Sequence, residues 1–254
     1  TNKPPCDSLY SNNMMDYNSA MNALTPCQIG VIHRNLANHS FLKTTVLEDY
    51  CVSDPNFSID ILQGQDIVWN ASRNLKGDVI VRNGGKLTIS CKIGMPQGAK
   101  ILVEKGAKLT LVDAHLTANC DNTLWDGIIV EANQLFAQSV DNLSGLYPEH
   151  GWLVVNNSTI EYAYMGISAG YSTPGTNGVS GGAVISVNNS KFLNNRFSVR
   201  FYEYGFQNKS KINDTRFECS GPLPGFPNND GSYSFVSLKE KKNIWLSGNT
   251  YVNT

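Results

Sequence analysis

The sequence predicts an all-β fold: a right-handed parallel β-helix of about seven coils behind a short N-terminal helical and turn segment. Three observations carry this. Only 16% of the 254 residues are charged, while 29 are Asn, and that excess of short polar side chains favours turns over helices. Gly77-Asp-Val-Ile-Val-Arg-Asn-Gly-Gly-Lys-Leu-Thr-Ile89 is echoed by Gly98-Ala-Lys-Ile-Leu-Val-Glu-Lys-Gly-Ala-Lys-Leu-Thr-Leu111, so that Val81 and Val103, like Leu87 and Leu109, stand 22 residues apart. Further on, a second signature recurs: apolar, two polar or turn residues, a small residue, any residue, apolar. It reads loosely as Leu111-Val-Asp-Ala-His-Leu116, then as Val155-Asn-Asn-Ser-Thr-Ile160, Val187-Asn-Asn-Ser-Lys-Phe192, Ile212-Asn-Asp-Thr-Arg-Phe217 and Leu246-Ser-Gly-Asn-Thr-Tyr251.

A repeat of that length, holding two or three short strands with Asn or Gly at the bends, matches one coil of a β-solenoid. One coil cannot bury its inner face alone, but stacking at about 4.8 Å builds a continuous ladder and core. Val81, Leu87 and Ile89, then Val103, Leu109 and Leu111, are the expected inward columns. Asn suits repeated corners because it tolerates left-handed backbone and can bond to its stacked equivalent. A leucine-rich solenoid lacks its LxxLxLxxN pattern here, and a β-sandwich leaves the 22-residue echo unexplained. From Leu111 to Val155, Val187, Ile212 and Leu246 the steps are 44, 32, 25 and 34 residues, as expected if loops are inserted between some coils.

Along the chain, residues 1–23 are turn-rich. Thr25-Pro26-Cys27-Gln28 then opens a helix: Thr25 can cap, Pro26 fits the first helical position and Gln28 completes a capping box. Ile29, Ile32 and Leu36 give it one apolar face to about Ala37. The expected division is a remnant at 1–40, a connector or cap at 41–60, and the β-helix at 61–254. The Gly- and Pro-rich stretches 172–182 and 220–231 read as loops between coils, and Lys239-Glu-Lys-Lys242 as a solvated turn.

With 20 Lys and Arg against 21 Asp and Glu, the chain has no basic excess for a nucleic-acid partner. No apolar run is long enough to cross a bilayer. No signal peptide opens the sequence, so Thr1 is expected to be a mature start. Cysteines at 6, 27, 51, 91, 120 and 219 form no CxxC pair, and their even number and wide spread point to disulfides in an exported protein, secreted or on the cell surface. Six cysteines allow 15 pairings; of those outside the N-terminal segment, Cys51 with Cys91 is the expected pair.

Asn13-Met14-Met15-Asp16-Tyr17, followed by Leu24-Thr25-Pro26-Cys27-Gln28, resembles the end of a pappalysin-like metzincin zinc peptidase. The resemblance implies that Met15 is the Met-turn methionine, Tyr17 the tyrosine near the metal, and Cys6–Cys27 a bracketing disulfide. It covers roughly 35 residues, those before the β-helix. The family's HExxHxxGxxH is missing: His33, His39, His115 and His150 have no such spacing, so zinc would need ligands from upstream sequence and this chain is expected to bind no cofactor of its own. Residues from 60 onward resemble β-helix regions of large exported proteins of the Bacteroidetes type. The carriers are Gly77-Asp78-Val79-Ile80-Val81, Leu87-Thr88-Ile89, Met95-Pro96-Gln97-Gly98-Ala99-Lys100-Ile101 and Trp125-Asp126-Gly127-Ile128.

A polysaccharide lyase or hydrolase would need a carboxylate cluster with a nearby base. Candidate acids are Asp113, Asp126, Glu131 and Glu161, candidate bases Arg73, Lys100 and Arg200, and no spacing unites them; Asp126, between Trp125 and Gly127, reads as a turn residue. Trp152, Tyr162, Tyr164, Tyr171, Tyr202 and Tyr204 cluster in the middle coils. Tyr162 with Tyr164, and Tyr202 with Tyr204, share strand parity and could present rings to a glycan. The expected role is a non-catalytic extracellular structural or recognition module of a larger exported protein, a metzincin-type peptidase, with a glycan or another surface protein as partner. The alternative is a carbohydrate-active β-helix protein.

Overall fold

The structure, a computed structural model, describes residues 24–38, 51–172, 179–225, 234–238 and 244–253. The chain divides into two units, Thr1–Asp49 and Tyr50–Thr254. In the first, α1 (Pro26–Asn38) starts at the expected capping box. The Thr25 amide donates to Gln28 Oε1 at 2.7 Å, and the Gln28 amide donates to Thr25 Oγ1 at 3.3 Å. Met15, Tyr17 and Cys6 lie outside the described residues.

The second unit is a parallel β-helix with seven coils among the described residues. Its first coil is β1 (Ser58–Ile61), β2 (Asp66–Trp69) and β3 (Arg73–Asn74), so the solenoid begins inside the segment expected to be a connector. The second is β4 (Asp78–Val81), β5 (Lys86–Ile89) and β6 (Lys92–Met95); the third is β7 (Lys100–Val103), β8 (Lys108–Val112) and β9 (His115–Ala118). The fourth is β10 (Trp125–Val130), β11 (Trp152–Asn156) and β12 (Thr159–Glu161). In the fifth, β13 (Ala163–Ser172) carries the antiparallel strand β14 (Val179–Gly181) before β15 (Val184–Asn188) and β16 (Lys191–Leu193). The sixth is β17 (Phe197–Phe201), β18 (Lys211–Asn213) and β19 (Arg216–Cys219), and the last is β20 (Ser234–Leu238), β21 (Trp245–Ser247) and β22 (Thr250–Asn253). Corresponding strands form three parallel sheets, the first running β1-β4-β7-β10-β13-β17-β20. The second and third stack in the same coil order, β2 to β21 and β3 to β22.

The predicted columns are the observed ones. Val81 pairs with Val103, and Leu87 with Leu109. Leu111, Val155, Val187, Ile212 and Leu246 follow one another in the second sheet despite their uneven steps. In the third, Leu116, Ile160, Phe192, Phe217 and Tyr251 form a file. Phe217 stacks between Phe192 at 5.0 Å and Tyr251 at 5.2 Å, between ring centroids. All of these side chains but Leu246 and Tyr251, which are exposed on the last coil, join one continuous apolar core.

The corner between the second and third sheets explains the second signature. Asp113, Asn157, Asn189 and Asp214 all have φ between 46° and 54°, and Gly248 follows at 63°. One residue on, Ser158, Ser190 and Thr215 are buried, and their hydroxyls donate to the carbonyls of Asn156, Asn188 and Asn213. The small residue in the motif is therefore an inward hydroxyl that closes the bend.

Stretch 172–182 differs from the expected loop because Tyr171 pairs with Ser180 and Gly170 with Gly181, a two-stranded antiparallel tongue. Residues 173–178, 226–233 and 239–243, with the Lys239–Lys242 run, lie outside the described residues.

Candidate ligand-binding groove

A segment and a loop wall off the edge of the first sheet where its strands begin. Residues 51–57 run beside the coils, tied by the Gln97 amide donating to Cys51 O at 2.7 Å and the Ser53 amide to Gln97 O at 2.9 Å. The loop after β9 is fastened to this segment by the disulfide Cys51–Cys120. This corrects the expected Cys51–Cys91 pair. Cys91 is a free thiol that joins the buried core, its sulfur 3.5 Å from Trp69 O, whereas Cys51 is half-buried on the segment beside the coils. Cys27 is an exposed free thiol, and the Cys6–Cys27 bracket implied by the metzincin resemblance involves Cys6, which lies outside the described residues.

Between these walls lie recesses that share lining residues. One of about 580 Å³ includes Ser58, Asp78, Gln97 and Lys100. The next, of about 350 Å³, shares Gln97 and Gly98 with it and adds Asn122, Asp126 and Tyr164. Around the corner a third, of about 660 Å³, shares Asn122 and Thr123 and holds Lys92, Glu161 and Tyr162.

Register places the first two recesses along the solenoid axis. Ser58 pairs with Asp78, and Lys100 with Gly127. Lys100 Nζ is 2.9 Å from Asp78 Oδ2, and the Lys100 amide donates to Asp78 Oδ1 at 3.0 Å. Asp126 is not the turn residue its neighbours suggest; it lies within β10, where pairing shifts register after Gly127. Gly127 has φ +104°, and a Cβ there would collide with the Met165 carbonyl, so only glycine permits this bulge. Asp126 is exposed to the groove. Partial burial still pushes its carboxyl above the ordinary range; Lys100 opposes the shift and Asp78 adds to it. Tyr164 is 45% exposed and meets Phe197 edge-on at 5.7 Å.

Glu161, which lines the corner recess, has its Oε1 2.7 Å from His115 Nε2. Burial pushes the Glu161 carboxyl up, but hydrogen bonds from His115 and Thr117, with the charges of His115 and Lys92, outweigh it and hold the group below its usual range.

The other singled-out residues disperse. Asp113 sits at its left-handed corner, bonded to Asn157. Burial and then Glu104 raise Glu131, beyond the end of β10. Arg73 lies 5.0 Å over Trp69, and Arg200 lies 5.7 Å from the Phe197 ring and 5.3 Å from that of Tyr202. The aromatic set does not form one surface. Trp152, on the second sheet, is covered by Lys108 Nζ at 3.8 Å. Tyr162 has φ 52°, so the bend before β13 breaks its parity with Tyr164. Tyr202 and Tyr204 lie past the end of β17, and Tyr204 is buried, its hydroxyl donating to Phe136 O at 2.7 Å.

Among the described residues no three His, Cys, Asp or Glu side chains are arranged to hold a metal ion. No described helix is long and apolar enough to cross a membrane. No family model, curated protein or solved structure matches the chain.

Proposed function

We propose that the chain is a non-catalytic recognition module of a larger exported protein, its β-helix a rigid rod that offers the axial groove to a partner. The observation that carries this is that Asp78, Lys100, Asp126 and Tyr164, from four consecutive coils, line two adjoining recesses beside the first sheet. Concave sites with a few convergent polar groups and an exposed ring suit ligand capture. The candidate acids Asp113, Glu131 and Glu161 stand at other corners, which favours binding over turnover. The Cys51–Cys120 bridge fits an oxidising compartment and supports export, secreted or at the cell surface. The metzincin parent rests on the resemblance around Met15 and Tyr17 alone; an HExxHxxGxxH in the coding sequence upstream of Thr1 would support it.

A carbohydrate-active enzyme on the same groove is the second reading, favoured by the raised Asp126 carboxyl, which leans towards a general acid. The test is an array of defined glycans and peptides probed with wild type and Tyr164→Ala, followed by chromatography of every bound ligand. Binding that needs Tyr164 and leaves the ligand intact supports the module; cleavage transfers the site to the second reading; Tyr164-independent binding removes the groove from both.

A further inference from the structure

Resting on that recognition reading, we infer that the groove takes a neutral, extended pyranose chain laid along the solenoid axis, one sugar ring to each coil.

The reason is a matching repeat. Successive coils present their outward side chains about 4.8 Å apart, close to the advance of one ring in an extended pyranose polymer. Ser58, Asp78 and Lys100 occupy one file on three consecutive coils; the next two coils continue it as Gly127 and Met165, with Asp126 and Tyr164 one residue earlier on their strands. A peptide strand advances only about 3.3 Å per residue, so it falls out of step within two rungs. A chain of sugar rings, one to a coil, keeps step with the five coils, its path shifting by one residue along the strands after Lys100.

The side chains also match in kind. Carboxylate and carboxamide groups, here Asp78, Asp126, Gln97 and Asn122, accept from and donate to ring hydroxyls. Tyr164, 45% exposed and edge-on to Phe197, brings an aromatic ring to the recess, the kind of surface on which the C–H side of a sugar packs. Charge excludes acidic polymers. Asp78 engages Lys100, the cation lining these recesses, at 2.9 Å, and Asp54 and Asp126 leave them with two carboxylates in excess. The adjoining corner repeats the imbalance, Asp121 and Glu161 against Lys92. A polyuronate or sulfated chain would meet repulsion in both places.

The experiment is calorimetry with the whole chain against cello-, manno- and xylo-oligosaccharides of two to six rings, with an oligogalacturonate hexamer as the charged probe. Affinity for at least one neutral series is expected to rise with each ring to about five, one per occupied rung, then level off. Tyr164→Ala should weaken the longest ligand at least tenfold while Tyr164→Trp retains it. An intact circular-dichroism spectrum and melting point show that the exposed substitution has not unfolded the coil. Asp126→Asn should narrow the gap between neutral and acidic hexamers. Absence of neutral-oligosaccharide binding, no length dependence, or preference for the galacturonate each overturns the ligand class. Tyr164-dependent capture of a defined peptide instead would sink this inference and leave the recognition reading standing; indifference of every ligand to Tyr164 would sink both.

Discussion

Asn157 and Asp113, 44 residues apart in sequence, occupy the same left-handed corner of adjacent coils, and the Asn157 amide donates to the Asp113 carboxylate. Asn189 in turn donates from Nδ2 to Asn157 Oδ1 at 3.2 Å. An L residue other than Asn, Asp or Gly pays for φ near +50° in backbone strain of about 1–2 kcal/mol. Asn157→Ala is therefore expected to cost about 2 kcal/mol by adding strain to the loss of both side-chain bonds. Asn157→Gly should cost less, since it relaxes the corner and loses only the bonds. Urea unfolding of the two variants measures the difference, and equal losses would contradict a left-handed strain.

Ser190 tests the inner half of the same corner. Its Oγ accepts from the buried Ser158 amide at 3.2 Å and donates to Asn188 O at 2.8 Å. Ser190→Ala strands a buried N–H, an expected loss of about 1–3 kcal/mol. Ser190→Thr should be nearly neutral, because Thr215 already fills the equivalent position one coil on. Equilibrium unfolding of the pair separates the missing hydroxyl from a change of volume.

How much of this could be foreseen differs between core, corner and site. The files Leu111–Leu246 and Leu116–Tyr251 were legible because a core position must stay apolar however long the intervening loop, and because Asn at a left-handed bend repeats with it. The pairing of Cys51 was not legible: its partner depends on where segment 51–57 runs beside the coils, which no local pattern states. The Tyr162–Tyr164 parity misled for a related reason, since a bend at Tyr162 resets the alternation that strand reasoning assumes. Asp126, though a candidate acid, reads as a turn residue because Trp125-Asp-Gly127 looks like a turn, while the structure uses that glycine for a bulge inside β10. The metzincin expectation at Met15 and Tyr17 falls outside the described residues.

The disulfide should brace the groove. Cys51 and Cys120 close a loop across 69 residues, and their neighbours form walls of adjoining recesses. The double variant Cys51→Ser, Cys120→Ser is expected to lose about 2–5 kcal/mol of stability, chiefly by enlarging the unfolded ensemble. Limited proteolysis should then open first within 119–124 or 51–57. An unchanged melting point and cleavage pattern would mean that coil stacking alone holds both walls.

His150 links stability to pH. It is fully buried at the end of the loop between β10 and β11, with both ring nitrogens lacking a hydrogen-bond partner among the described residues. Tyr204 packs edge-on at 5.9 Å, and Gln138 pins the same loop by donating from Nε2 to Gly182 O at 2.7 Å. Burial depresses the imidazole below its ordinary 6.5; the nearby carbonyls of Ala137, Gly182 and Phe136 and the charge of Glu149 oppose this without overcoming it. Because the unfolded chain takes up the proton more readily, the stabilisation is complete above pH 6.5 and declines as pH falls towards the folded-state value. The slope from one such group reaches at most about 1.4 kcal/mol per pH unit. Glu161 acts in the same direction only lower down, below its ordinary 4.5. Asp126 and Glu131, both raised, act in the opposite direction as pH climbs through the carboxylate range. The unfolding free energy is thus expected to fall between pH 7.5 and 5.5, and His150→Phe to flatten that interval. Hydrogen exchange at the Gly106 amide, which donates to His150 O, should quicken on acidification in wild type only. If the variant keeps the wild-type slope, the pH dependence arises at another group.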